Sequence, residues 1–358
     1  MSLEPFAFFI LGEKSNHMHG GRRYSVKEMF RFGKIYIYRF AIYHSVVIGL
    51  FFFTGWEWMA IPWQPLSLVG IAVAFYLGFK NNSSYERMWE ARKIWGGIVN
   101  ASRTFAVMAR DFVNNQEAKD PRSDEELNQI SKRLIRRHVA WLYALTFQMR
   151  KLKDWEHKEG VFSSTFRKRV GSEYKEENFD KLASYISQED LDYIQSKGNK
   201  ASHLLSLQSN ELAQLRSEGI VEHFRHLELM NMIKEFYTLQ GKSERIKNFP
   251  LPRQYATVNL FFVILFIVLL PFGMINVFSE NGPDFLVLVA IPFSVICSWV
   301  FWTMEMIGDF SENPFEGLPN DVPISTISRG IEVDILQMIE ETEFPQPISV
   351  MNPGKVQM

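Results

Sequence analysis

The chain has 358 residues, and 39 Lys and Arg stand against 40 Asp and Glu, for a formal net charge of −1. Only 22% of residues are charged and 15% are aromatic, which excludes both a disordered tail protein and a strongly basic nucleic-acid binder. Cys297 is the single cysteine, so an intrachain disulfide or a cysteine zinc cluster is excluded as well.

The mean hydropathy of −0.09 averages two unlike kinds of sequence. Residues 1–34 are mostly polar and basic, with no apolar core of secretory length before a small-residue cleavage site, so no secretory signal is expected and the segment reads as cytosolic. His17 and His19 lie there without any metal-site pattern. Residues 35–56 are apolar apart from Arg39 and His44, and residues 61–79 carry no charge. A helix needs about 20 apolar residues to cross a bilayer, so the two read as a transmembrane hairpin over 35–79. Residues 80–253 read as a helical cytosolic domain. Within it, 129–153 shows helical spacing at Leu134, Val139, Leu142 and Leu145, and 202–240 repeats the style. Residues 115–126 (NQEAKDPRSDEE) read as an exposed loop. A second hairpin over 254–307 follows, with spans at 255–278 and 285–307, and 308–358 reads as a cytosolic tail. The fold class expected is all-α: four transmembrane helices and a helical cytosolic domain.

Orientation follows from the flanks. The short connections 57–60 and 279–284 contain no Lys or Arg, whereas Arg22, Arg23, Lys27, Arg31 and Lys34 precede span one and Lys80, Arg87, Arg92 and Lys93 follow span two. The positive-inside rule then puts both termini and the middle segment in the cytoplasm of a plasma-membrane protein. Trp56, Trp58 and Trp63 suit an outer interface belt or ordinary core packing.

Chemistry is sparse. No phosphate-binding glycine loop and no Gly-x-Ser-x-Gly elbow occurs. His223 and His226, beside Glu222 and Glu228, lack a second cluster and read as a solvated helix face. Glu305 and Asp309 read as wet acids at the membrane edge rather than as a cation site. An enzyme is not expected, and no cofactor or metal is called for.

The second span carries the pattern that matters. Ile71, Phe75 and Phe79 recur every four residues and form one large apolar stripe. Gly70, Ala74 and Gly78 form a small stripe about 100° away. Small faces let membrane helices approach closely. Copies packed around an axis through that face would turn the large stripe into an apolar lumen able to gate by dewetting. From spacing alone, a stripe that simply meets lipid is the favoured reading.

The residues that follow narrow the choice. Gly78, Phe79, Lys80, Asn82, Tyr85, Arg87, Glu90, Ala91, Arg92, Trp95 and Gly96 reproduce a long motif, and Asn313-Pro314-Phe315 with Asn320-Asp321-Val322-Pro323 follows the last span. Together they resemble the bestrophin family over roughly residues 25–340, with Lys80 in place of the family's Arg and the Asn shifted or doubled as Asn81-Asn82. The resemblance implies a homopentameric ion channel in the lipid bilayer. It implies a neck at Ile71, Phe75 and Phe79, and a second constriction at the cytosolic exit at Phe224. The second assignment is anchored by Asn210, Glu211, Gln214, Leu215, Arg216 and Gly219. Calcium-activated animal members carry a dense acidic run after Asn-Pro-Phe, where this chain has only Glu316 before Gly317, so the sequence resembles the shorter prokaryotic members. The expected cargo is small monovalent ions, chloride-type anions slightly favoured. A sodium-type cation channel of the same fold and a membrane scaffold without conduction are the alternatives. A transporter fits less well, because charges within the spans sit near their ends. No nucleic-acid partner is expected.

Overall fold

In the computed structural model, the residues described are 18–19, 26–157, 179–280, 283–318, 320–348 and 356–357. His17 lies outside them. The described residues form nine α-helices: α1 (Val26–Thr54), α2 (Trp63–Phe112), α3 (Asp124–Arg150), α4 (Gln188–Gln195), α5 (Lys200–Ser217), α6 (His223–Asn248), α7 (Arg253–Ser279), α8 (Ala290–Phe310) and α9 (Ile324–Met338). Three 3-10 turns and a two-residue antiparallel pairing of Met18–His19 with Val356–Gln357 accompany them among the described residues.

Two compact units result. The apolar unit is drawn from Arg22–Met88 and Pro250–Glu312, and the polar unit from Trp89–Phe249, Asn313 onward and the N-terminal strand. Four segments of the chain are long and apolar enough to cross a membrane: Gly33–Thr54, Glu57–Phe112, Arg253–Ser279 and Phe285–Phe310. In none of them is more than 44% of the most apolar window buried. Ile42, Val46, Phe53, Phe261 and Ile296 all face outward from the apolar unit. Helices suit that surroundings, because each satisfies its own backbone N–H and C=O groups where water is absent.

Inside the apolar unit, Phe40 packs with Leu66, Val73 and Leu77 of α2 and with Val263, Phe266, Ile267 and Leu270 of α7. A second cluster joins Ile48, Met59, Ile275, Val287 and Ala290. His44 Nε2 and Ser298 Oγ, both buried, lie 2.8 Å apart and tie α1 to α8.

Helix α2 is 50 residues long and continues well beyond residue 79. A buried stripe runs its length: Leu66, Gly70, Val73, Leu77, Lys80 and Ser84, then after half-buried Arg87, Ala91, Trp95, Ile98, Ser102, Phe105 and Ala109, in steps of four and three. No proline interrupts the polar half, and Gly97 lets Leu239 approach to within 3.0 Å of where a Cβ would stand.

The polar unit is a helical bundle around Trp95, Phe105, Trp141, Tyr143 and Phe236. Its boundaries differ from expectation in two places. The acidic stretch read as loop up to residue 126 becomes helix from Asp124. Ser123 and Glu126 form a capping box there, and Asp124, Glu125 and Glu126 complement the positive end of the helix dipole. The segment 202–240 is two helices, separated at Gly219.

Candidate functional site

The outward face of α2 is the first element of the site. Ile71, Phe75 and Phe79 are 67%, 64% and 48% exposed, while Val73 and Leu77 beside them are buried. The Phe75 and Phe79 rings meet edge to face at 4.5 Å. Lipid is as apolar as these side chains, so their exposure, like that of Ile42 and Phe53, leaves them open to lipid or to another helix.

The small stripe divides. Gly70 is buried against its own chain, since a Cβ there would stand 2.8 Å from the Phe266 ring. Ala74 and Gly78 are exposed, with open space beyond Gly78. Trp56 and Trp58 are exposed and stacked at 6.0 Å at the turn between α1 and α2, and Trp63 is half-buried.

Phe224 stands apart, in the polar unit. It is 72% exposed in the first turn of α6. Glu222 caps that turn by accepting the N–H groups of Phe224 and Arg225 at 2.8 and 3.1 Å. The turn that presents it depends on Gly219, at φ +77°, where a Cβ would meet the Glu117 carbonyl oxygen at 2.1 Å. Gly219→Ala therefore meets both a left-handed backbone and a backbone clash. The expected result is a loss of about 2 kcal/mol or more in the polar unit, read as a lowered thermal midpoint. An unchanged midpoint would contradict this turn geometry.

Two sequence readings are corrected here. Glu305 is not a wet acid: it is 4% exposed and accepts from Lys80 Nζ and from Asn259 Nδ2. Lys80 sits on the inward stripe of α2 and finds its partner 225 residues away. His226 is buried rather than solvated, and burial, with Arg216 nearby, lowers its pKa; His223 stays exposed. Close to the Lys80 pair, Glu312 is buried beside Arg253, and Arg87 Nε donates to the Glu312 carbonyl oxygen at 3.0 Å. Burial pushes the Glu312 carboxyl up, and Arg253 opposes it.

The loop after Asn313 holds its acids with protein donors. Glu316 accepts from Asn313 Nδ2 at 2.9 Å and from the His157 backbone at 3.2 Å, and its second oxygen lies 2.9 Å from His157 Nδ1. Asp321 accepts the N–H groups of Gly317 and Leu318 at 2.7 and 2.9 Å, while its Oδ1 is buried without a partner. Burial, then the Glu316 charge, raises Asp321 from 3.8 to about 7. The folded chain thus holds a proton that the unfolded chain has released. Stability should fall as pH rises between about 4 and 7 and level off above. Asp321→Asn should flatten that fall in unfolding measurements across this window. A slope that survives the substitution would place its origin elsewhere.

Four apolar segments long enough to cross a bilayer, with apolar side chains facing outward, mark a helical membrane protein. The family described as Bacterial/Fungal Bestrophin protein matches residues 35–337, and the chain belongs to that family. The voltage-dependent anion channel-forming protein YneE of Escherichia coli is 27% identical over 284 residues, 79% of each chain. A protein of the same description from Ralstonia nicotianae is 27% identical over 278 residues, 77% of each. Among solved structures, the bacterial bestrophin homolog of Klebsiella pneumoniae shares the fold with a TM-score of 0.69. Its identity is 24%, over 86% of this chain and 98% of that one.

Proposed function

We propose that this chain is the subunit of a homopentameric plasma-membrane channel that passes small monovalent ions, anions slightly favoured. Five copies of α2 would ring an axis, and Ile71, Phe75 and Phe79 would form three apolar rings of a neck. The observation that carries this reading is the uncovered large stripe on α2, flanked by the small, open positions Ala74 and Gly78. One helix cannot enclose a lumen, whereas close packing through a small face can gather several. Gly70 already serves the chain's own α7, so the contact between copies falls to Ala74 and Gly78.

The topology supported by the charge pattern places both termini and residues 80–253 in the cytoplasm, with residues 57–60 and 279–284 outside. Phe224 is the candidate for the aperture at the cytosolic exit. The neck has no charged ring, so selectivity rests on the phenyl groups. Their edges are partly positive and favour anions, and their faces favour cations. Relatives named as anion channel-forming proteins support the anion reading. The reading is tested first by mass. Detergent-corrected light scattering should give five copies per particle, and a monomer or dimer would remove the pore.

Calcium is expected not to switch this channel. Glu316, which stands where animal members have their acidic run, is held by Asn313 Nδ2 and by the backbone N–H and ring of His157. Bilayer currents should be the same with micromolar calcium and with chelator on the cytosolic side. Currents that appear only on adding calcium would overturn this and make Asp309, Glu312 and Glu316 the ligand candidates.

A further inference from the structure

The residue that follows the third neck position is a buried lysine. Lys80 is 1% exposed and lies on the same inward stripe of α2 as Val73 and Leu77. Its ammonium pairs with Glu305 of α8, whose other oxygen accepts from Asn259 of α7. One carboxylate thus joins three helices, and all three side chains are buried. Helices α2 and α8 are in close contact here: a Cβ at Gly308 would stand 2.4 Å from Asn81 Oδ1. Apolar side chains of similar size would often hold such a site as well or better, since burying two charges is costly. What a buried pair supplies best is a single register.

We propose that Lys80, Glu305 and Asn259 are positioning residues that set the rotation of α2 about its own axis and so aim the neck. This rests on the neck reading above. Successive residues lie 100° apart around a helix. While Lys80 is held toward α7 and α8, Phe79 is fixed a little over a quarter-turn away. Phe75 and Ile71 follow one and two turns earlier on the same stripe. Releasing the ammonium lets α2 rotate, which exchanges the residues that face the lumen.

The test reads rotation directly. In full-length protein carrying Cys297→Ser, cysteines are placed singly at 74, 75 and 76 (Ala74→Cys, Phe75→Cys, Tyr76→Cys). A water-soluble methanethiosulfonate reagent is then applied to open channels in a bilayer. In the parent background, Phe75→Cys is modified fastest and its current is altered. Adding Glu305→Gln should lower the rate at position 75 relative to position 74 or 76 by about fivefold or more, the lower end of typical coupling. Lys80→Arg, which keeps charge and pair, should retain the parent ratio. Glu305→Asp keeps the buried charge but shortens its reach by one methylene, and it decides the matter if Glu305→Gln fails to assemble. A merely structural role lowers the yield of assembled protein and leaves the ratio in surviving channels untouched. Unchanged ratios in every Glu305 variant that assembles would overturn the proposal alone. A parent in which position 75 is not reached from water would overturn the neck reading and the proposal with it.

Discussion

Ile71→Ala, Phe75→Ala and Phe79→Ala, combined in one chain, should raise unitary conductance by on the order of severalfold while the pentamer survives. Each apolar ring removes hydration from a passing ion and returns little, and an unpaired ion in apolar surroundings is costly. The three side chains take no part in the chain's internal core, since they are half to two-thirds exposed. Trimming them should therefore cost little in folding. If the rings also gate by dewetting, the variant should stay open longer. A lipid-facing stripe predicts the opposite pattern, with altered stability in the membrane and unchanged conductance. Phe224→Ala should act in another way, shifting permeability among ions of different size more than open time, because it stands singly in the turn that Glu222 caps. Unchanged currents in both variants of a pentameric protein would mean that the wrong face of α2 had been assigned to the lumen.

The second large effect is expected in the polar unit. Lys247 and Glu156 are both buried and paired. Burial pushes the Lys247 ammonium below its ordinary range, and the Glu156 charge opposes that shift. Glu156 also accepts the Lys153 N–H at 3.0 Å, which closes the turn after α3. Lys247→Met removes the counter-charge and leaves a buried carboxylate, at a cost of about 3–5 kcal/mol. Thermal unfolding of the solubilised protein should show a clear drop in midpoint. Adding Glu156→Gln should recover much of it, because the cost lies mainly in the unpaired charge. A single variant as stable as the parent would contradict the buried pairing.

The same contrast explains what could be read from the sequence. Four apolar segments and a helical remainder are visible there because hydropathy and the 3.6-residue period are local properties. The capping box at Ser123 is also local, yet the polar stretch around it resembles a loop until the Ser-x-x-Glu spacing is noticed. Glu305 escapes the sequence for a different reason. A lone acid near the end of an apolar span looks wet unless its partner is known, and that partner lies 225 residues away on another helix. A signal for it existed: carrying the stripe Leu66, Gly70, Val73, Leu77 forward by three residues lands on Lys80 and puts its ammonium inside. His226 was equally hidden, since its burial depends on how α6 packs. The division of the small stripe, with Gly70 turned to Phe266 and Ala74 and Gly78 left open, likewise needed the packing of α7 against α2.

The proposed function depends on this chain's passing ions, and single-channel recording of the purified full-length protein in a planar bilayer tests that most directly. Under a KCl gradient we expect discrete unitary openings whose reversal potential lies toward the chloride equilibrium value. A reversal toward the cation value would keep the channel and change its selectivity. Protein shown to be pentameric that produces no unitary currents at any voltage would contradict the account.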